Sequence, residues 1–582
     1  MINQKLNISL AGCLAISSLT AQQKKEDNPN IIVILADDMG WGDLHCNGNL
    51  NIHTPNLDKL ASESMVIDRF YVSPLSAPTR ASLLTGRYFL RTGASFVTDG
   101  LENMHPDELT IAQILKQQNY TTGCFGKWHN GLHYPQHPNR KGFDEFVGFC
   151  NGGLGLYFGA ELERNNVPFK SEGYITDFLT KEALKFIENN RSHSFFCYIP
   201  YNVPHEPVQV SDAYFNYYKN QGLSDEEAGV YGMVDNMDEN IGILLKKLDE
   251  WDLRERTIVV FLSDNGPVGS RYNGNMKGRK GSVDEGGIRV PCFISWKGKI
   301  KPGKTQQLSQ HIDLLPTLLS MCSVKAIFPK PIDGIDLSSC ILKNEIIFPD
   351  RIIFSHQSGP NIKGCSGSVR SDRYRLVVTP KDTLLYNMID DQSQSKDISK
   401  SNAQVTNTLL LNYFSIKDEV ENQYYPEITA QIGYPDERII YLPPREGKIT
   451  GNIRFSCIHH NKAWFENWTD VNDSIVWEVD VVADGLYYAL IEYTCEENQL
   501  GSRLKLSGMN FSVETDVDKI FSSKIITEYD RIPPAGAPER TSWGLLDMGE
   551  INFYKGKQKL VLKAMKIPSG GLCLINGIYL KK

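Results

Sequence analysis

Beyond its N-terminal segment this 582-residue chain has no apolar run near the roughly 20 residues that a bilayer-spanning helix needs. It has no internal repeat and no low-complexity tract, which excludes solenoid and fibrous architectures. It has no basic excess: 61 Lys and Arg stand against 69 Asp and Glu, a net charge of −8. That balance excludes nucleic acid as the main partner, although a few clustered cations would still serve a small anion. The 12 cysteines are scattered, with no C-x-x-C pair and no metal-finger spacing. They read mostly as small buried hydrophobes, with room for one or two bridges. Hydrophobic residues at 41% and charged residues at 22% exclude wholesale disorder.

The start, from Met1 to Lys25, carries a short basic region, an apolar stretch and small residues ahead of charge. It reads as an export signal over residues 1–21, cleaved after Ala21, giving a periplasmic or secreted chain. Leu10-Ala11-Gly12-Cys13 also resembles a lipobox that would acylate Cys13, but the apolar stretch ahead of it is very short.

What the chain does have is a set of unalternated apolar runs that each stop at polar residues. Asn30 to Ala36 stops at Asp37-Asp38, and Thr257 to Leu262 at Ser263-Asp264-Asn265-Gly266. Ser194 to Ile199 leads into Asn202-Val203-Pro204-His205, and Thr122 to Phe125 into Gly126-Lys127-Trp128-His129. Such runs suit strands buried on both faces. Helical spacing fills the gaps, over Thr54 to Ser64, Glu108 to Gln118, Thr176 to Asn189 and Asp225 to Trp251. Alternating strands and helices predict an α/β domain over 28–330, a mostly parallel sheet sandwiched by helices. Such sheets bind ligands beyond the carboxyl ends of their strands, so the four polar clusters should meet in one crevice.

From about Gly334 the pattern changes. Strands near Arg351 to Ser355 and Tyr374 to Val378, with a helix near Asn402 to Tyr413, predict a small α+β subdomain over 331–425. Residues 426–444, rich in Pro, Gly and Tyr, read as a linker. Over 445–582 the pattern predicts an all-β sandwich, with Ser474 to Asp480 and Tyr487 to Thr494 as a hairpin about Ala483-Asp484-Gly485.

The segment Ser76-Ala77-Pro78-Thr79-Arg80, followed by Thr85-Gly86, is the most specific in the chain. Alone, Ser76 would read as a helix N-cap, with Pro78 in the first turn and Gly86 at the end. The whole segment resembles the serine-type signature of the type I sulfatase family, formylglycine-dependent enzymes of the alkaline-phosphatase superfamily. The resemblance runs from about Asn30 through Tyr386, and exported bacterial carbohydrate sulfatases are similar to this chain.

It implies that Ser76 is oxidised to formylglycine, whose hydrate attacks sulfur and then expels sulfate from a sulfated hemiacetal. Arg80 would hold the modified residue. Lys127 would contact the sulfate, and His129, in the family's G-K-W-H element, would be the base. His205 would hold the sulfate or protonate the leaving alcohol. Lys280, in Lys280-Gly281-Ser282-Val283-Asp284-Glu285-Gly286-Gly287, would be the other sulfate-binding cation, with Lys277 as a fallback. Serine in place of the commoner cysteine implies a maturation enzyme that accepts serine, as radical-type maturases do.

Asp37, Asp38, Asp264 and Asn265 offer only oxygen, which suits Ca²⁺ or, less well, Mg²⁺ over Zn²⁺. Singly, each pair would be a solvated turn; both match the family's metal ligands in motif and order. His133, His137, Arg271 and Tyr272 lie beside matched motifs as candidate sugar contacts. The sandwich resembles a galactose-binding-like fold, in which Trp464, Trp468 and Trp477 would either stack on sugar or pack the core; it could also roof the crevice. The expected function is hydrolysis of carbohydrate sulfate esters, with galactose or N-acetylgalactosamine sulfates first. The rivals are a phosphatase or phosphodiesterase of the same superfamily using unmodified Ser76, and a non-catalytic glycan-binding protein.

Overall fold

Alternate residues of each central strand face opposite cores, which is why the apolar runs do not alternate. In Asn30–Ala36, Ile32 and Ile34 join one core while Ile31, Val33 and Leu35 join the other. Thr257–Ser263 divides likewise, Val259 and Phe261 against Ile258, Val260 and Leu262. A strand covered on both sides has no face left for polar residues. The computed structural model describes residues 28–357, 359, 364–421, 429–457, 463–524, 530–532, 540 and 542–582. The segment read as an export signal, with Cys13 and Ala21, lies outside the described residues.

These strands are the middle of a ten-stranded sheet. Thr257–Ser263, Asn30–Ala36, Phe195–Pro200, Thr121–Lys127 and Glu145–Phe149 lie side by side and parallel. Antiparallel strands flank them, Cys292–Ser295 on one side and Glu161–Arg164 on the other. Helices Pro55–Ser62, Ile175–Asn189 and Asp225–Glu250 cover one face. Ser76–Thr85, Ile111–Gln117 and Leu314–Met321 cover the other. The helix expected from Glu108 begins at Ile111, because Thr110 and Gln113 form a capping box there. Ala36 stands opposite Ser263 and Leu35 opposite Pro200, so three strands end at one level. No helix among the described residues is long and apolar enough to cross a membrane.

The strands Ile353–His356, Gly367–Arg370, Tyr374–Val378 and Thr383–Asn387 form an antiparallel sheet. The helix Ala403–Glu421 packs on it through Leu409 and Tyr413. Beyond it two sheets face each other across one core.

Here two readings are corrected. The stretch 426–444 is no linker where it is described: Ala430–Ile432 pairs with Ser474–Val481 in one sheet, and Ile439–Leu442 with Leu574–Lys581 in the other. Nor do Ser474–Val481 and Gly485–Thr494 form a hairpin. The first pairs with Gly556–Lys566, the second with Gly544–Phe553 and Leu574–Lys581, in the opposite sheet. Alternation says which face is buried, and an arch that places Trp477 and Val479 across from Tyr487 and Ala489 buries it as well as a hairpin would. Trp464, Trp468 and Trp477 are all buried, and the last two donate their indole N–H to Asp470 O and Pro443 O. Trp468 and Trp477 pack the sandwich core, and Trp464 is covered by Trp543 and Arg540. Among the described cysteines, Cys124, Cys197 and Cys292 are fully buried in the α/β cores, as small hydrophobes.

Candidate active site

The four strand-end clusters do meet. Asp37 and Asp38 follow Asn30–Ala36, and Asp264 and Asn265 follow Ser263. The main chain binds these ends together: Asp264 N donates to Ala36 O at 3.1 Å, Asp37 N to Val203 O at 3.1 Å, and Asp38 N to Asp264 Oδ1 at 3.1 Å. Asp38 and His129 take positive φ, 65° and 59°, where side chains with a Cβ are rare. Gly126, at φ 141°, comes so close to the next strand that a Cβ there would lie 2.0 Å from Pro200 O. That glycine lets the Lys127 strand end beside the Asn202–His205 loop.

Ser76 is the first residue of the helix Ser76–Thr85, which ends on Gly86 in the left-handed region. Its hydroxyl lies 3.2 Å from Asp37 Oδ1 and 3.3 Å from Asn265 Oδ1. One turn on, Arg80 donates from Nε and Nη2 to Asp264 Oδ2 (3.2 and 2.8 Å) and from Nη1 to Lys127 O (2.9 Å). Lys127 Nζ donates to Asp37 Oδ2 at 2.6 Å, and Lys280 Nζ to Asp38 Oδ1 at 2.5 Å. Asn265 Nδ2 also donates to Asp38 Oδ1, at 2.8 Å. Of the two candidate lysines only Lys280 reaches the site; Lys277 turns to the Tyr386 hydroxyl and Asp284.

Burial and the Asp264 charge push the Asp37 carboxyl up to about 7, against the pull of Lys127 and Arg80. Burial acts on Asp38 too, but Lys280, His205 and Lys127 outweigh it and hold that carboxyl below the usual range. Burial lowers Lys127 in spite of Asp37, whereas Asp38 outweighs burial at Lys280 and raises it. Both histidines are held neutral. Burial and Lys127 keep His129 well below its ordinary value and take His205 down to about 3. Hydrogen bonding fixes their tautomers, since a carbonyl can only accept. His129 Nε2 donates to Val97 O at 3.0 Å, which leaves Nδ1 as a buried lone pair without a partner among the described residues. His205 Nδ1 donates to Glu206 O at 2.6 Å, leaving the lone pair on Nε2, 3.8 Å from Asp38 Oδ2.

The donor set fits a hard divalent cation. Three buried carboxylates and the Asn265 carbonyl converge, and ligand atoms of Asp37, Asp38 and His205 lie within 4.8 Å of one another. With Asp37 ionised, these carboxylates neutralise Arg80, Lys127 and Lys280, and a bound cation would then supply the surplus positive charge for an anion.

Of the other candidates, the two histidines are committed elsewhere. His133 bonds Glu446 of the sandwich at 2.9 Å, and His137 bonds Glu163 at 3.3 Å. Arg271 holds Asp43 and donates to Asp38 O at 2.9 Å, buttressing the carboxylate loop from behind. Tyr272 is 39% exposed. It lines a cavity of about 580 Å³ with Arg271, Met276 and Arg279.

One supporting pair escaped the sequence reading. Glu285, in the Lys280 loop, is buried and accepts from Arg375 Nη2 at 2.5 Å and from the Tyr71 hydroxyl at 2.9 Å. Arg375 belongs to the four-stranded sheet, so this ion pair ties the loop to the subdomain. Arg375→Ala should destabilise the protein by roughly 3 kcal/mol, because it removes the nearest cation from a buried carboxylate and leaves it to Arg289 Nη1, at 3.5 Å, and the Tyr71 hydroxyl. Denaturant unfolding checks it; a loss under about 1 kcal/mol would mean that Arg289 satisfies the carboxylate without Arg375.

A sulfatase family model matches residues 29–324. N-acetylgalactosamine-6-sulfatase of Mus musculus is 35% identical over 370 residues, 56% of this chain and 69% of its own. Arylsulfatase A of Homo sapiens is 31% identical over 390 residues, 60% of this chain and 74% of its own. The solved structure of Ps i-CgsB in complex with k-i-k-neocarrahexaose aligns with a TM-score of 0.64 at 32% identity, over 68% of this chain and 94% of its own. With the fold, the signature around Ser76 and these likenesses in agreement, the chain belongs to the sulfatase family and is a sulfuric ester hydrolase.

Proposed function

We propose that this protein is an exported, Ca²⁺-dependent sulfatase that removes sulfate from a carbohydrate, with N-acetylgalactosamine or galactose sulfates as the substrates. The sugar assignment is supported by what its relatives are named for: N-acetylgalactosamine 6-sulfate in one, a neocarrahexaose complex in another. The chemistry is supported by one observation above all. The Ser76 hydroxyl points between Asp37 and Asn265, inside a cage of Arg80, Lys127 and Lys280.

Oxidation of Ser76 to formylglycine, by a maturation enzyme that accepts serine, would supply a hydrate with one hydroxyl to attack sulfur and a second to drive sulfate out. A Ca²⁺ (Mg²⁺ less well) held by Asp37, Asp38, Asp264 and Asn265 would polarise the sulfate oxygens and acidify that hydroxyl. Arg80 orients residue 76 while fixing Asp264. Lys127 and Lys280 hold the sulfate oxygens, and such preorganised charge is usually the largest catalytic contribution. His129 receives the proton from position 76 on its free Nδ1. His205 presents Nε2 to the ester; to hold a sulfate oxygen or protonate the leaving alcohol, that nitrogen would first take a proton from solvent, which the negative charge of a bound sulfate favours.

A panel of sulfated monosaccharides, assayed for desulfation with and without chelator on matured protein, tests the function. No turnover of any sulfated sugar would overturn it. A second measurement separates the two roles of His205. If it delivers the proton, His205→Ala should cost about 10²-fold or more on a sugar sulfate but far less on 4-nitrophenyl sulfate, whose phenolate leaves unaided. Equal losses on both would assign it to sulfate binding.

A further inference from the structure

Between the strands Ser512–Asp516 and Gly544–Phe553, Val517 and Phe521 still belong to the sandwich core, whereas residues 530–532, further along the same connection, do not. Residues 530–532 lie on the catalytic domain, against the segment that follows His205. Asp530 forms an antiparallel bridge with Gln209, and Arg531 N donates to Val208 O at 2.9 Å. The Arg531 guanidinium pairs with Asp212 at 2.7 Å and lies over the Phe215 ring at 4.9 Å. Ile532 packs against the core beneath.

Gln209 is fully buried, and its amide is fully used. Its Oε1 accepts from Tyr157 N at 2.8 Å. Its Nε2 donates to Gly155 O at 3.0 Å and to Asp530 Oδ1 at 2.8 Å. Without Asp530, one N–H of a buried amide loses its acceptor, and the amide is free to turn. Tyr157, also buried, directs its hydroxyl at His205 O (2.9 Å) and Glu206 O (3.0 Å). The same loop passes over both histidine rings. A Cβ at Gly152 would lie 2.5 Å from His129 Nε2, and one at Gly153 would lie 3.5 Å from His205 Cε1.

We propose that Asp530, supplied by the appended sandwich, is a positioning residue for the sulfatase reaction. It locks Gln209, Gln209 locks the loop from Gly152 to Tyr157, and that loop sets both imidazoles. The proposal rests on His129 and His205 being reacting groups. It gives the sandwich a part in turnover that does not require it to bind sugar.

Steady-state kinetics on a sulfated monosaccharide, with melting temperatures, tests it. Asp530→Ala should lower kcat about tenfold with KM changed less than about twofold, since misplaced reacting groups slow chemistry more than binding. Asp530→Asn keeps a carbonyl oxygen at the same reach and should restore kcat to within about twofold. Arg531→Ala loosens the docking but leaves Asp530 in place; it should lower the melting temperature and spare kcat. The proposal is overturned if Asp530→Ala turns over like the parent, if Asp530→Asn fails to rescue, or if Arg531→Ala loses kcat as Asp530→Ala does. Should Asp530→Ala fail to fold, the Asn and Arg531 variants still decide it. Retention of activity in both His129→Ala and His205→Ala would instead overturn the reading of the site.

Discussion

Ser76→Ala should abolish sulfate-ester hydrolysis, by at least about 10⁴-fold in kcat, and leave the fold intact. The two halves of that expectation have separate causes. Alanine is a better helix former than serine, and the Ser76 side chain caps nothing: its contacts are to Asp37 and Asn265, across the crevice. Stability should therefore hold. The chemistry has no substitute, because the side chains around position 76 are cations paired with carboxylates, or histidines without a nucleophilic hydroxyl. Melting curves beside a sulfatase assay separate the effects. Intact mass on the unmutated, active protein tests the modification, since formylglycine is two hydrogens lighter than serine. Full activity with an unmodified Ser76 would favour a direct hydroxyl nucleophile. Substantial activity in the alanine variant would remove residue 76 from the reaction.

Chelation should be the second large effect, lowering kcat on the order of 10²–10³-fold, because the cage then has no surplus positive charge for the sulfate. It should also depend on pH in a stated direction. Without a cation, burial and Asp264 raise Asp37 from its ordinary 3.8 to about 7. The folded chain then holds a proton that the unfolded chain releases, so this group's contribution to stability is present below pH 4 or so and is lost as pH rises through about 7. A cation displaces that proton. Its binding should tighten as pH rises to about 7 and level off above, so added Ca²⁺ should raise the melting temperature more at about pH 8 than at about pH 6. Calcium titrations followed by calorimetry at the two pH values measure this. Stabilisation that is larger at the lower pH, or full activity in chelator, would remove the cation from the carboxylate cluster.

Much of the catalytic half was legible without coordinates. Asn30–Ala36 and Thr257–Ser263 are apolar at every step, and only a strand covered on both faces tolerates that. Their ends had to meet because parallel strands deliver their carboxyl ends to one edge. Pro78 and Gly86 marked the helix that carries Ser76, each by a backbone preference that is local.

What was not legible is non-local. The motif favoured Lys280 over Lys277, but only loop geometry sends one to Asp38 and the other to Tyr386. The alternation in Ser474–Val481 and Gly485–Thr494 specified a buried face but not the neighbour that would cover it, so pairing and arching were equivalent until the second sheet was in place. Ala430–Ile432 and Ile439–Leu442 are too short to declare themselves and become strands by joining sheets already formed. Asp530 is an ordinary acid in the sequence and stands more than 300 residues from Gln209, its partner across the domain boundary. Burial patterns and turn chemistry are written along the chain and can be read there. Partners brought together by tertiary packing are chosen by shape and by unsatisfied hydrogen bonds, which exist only once the chain has closed on itself.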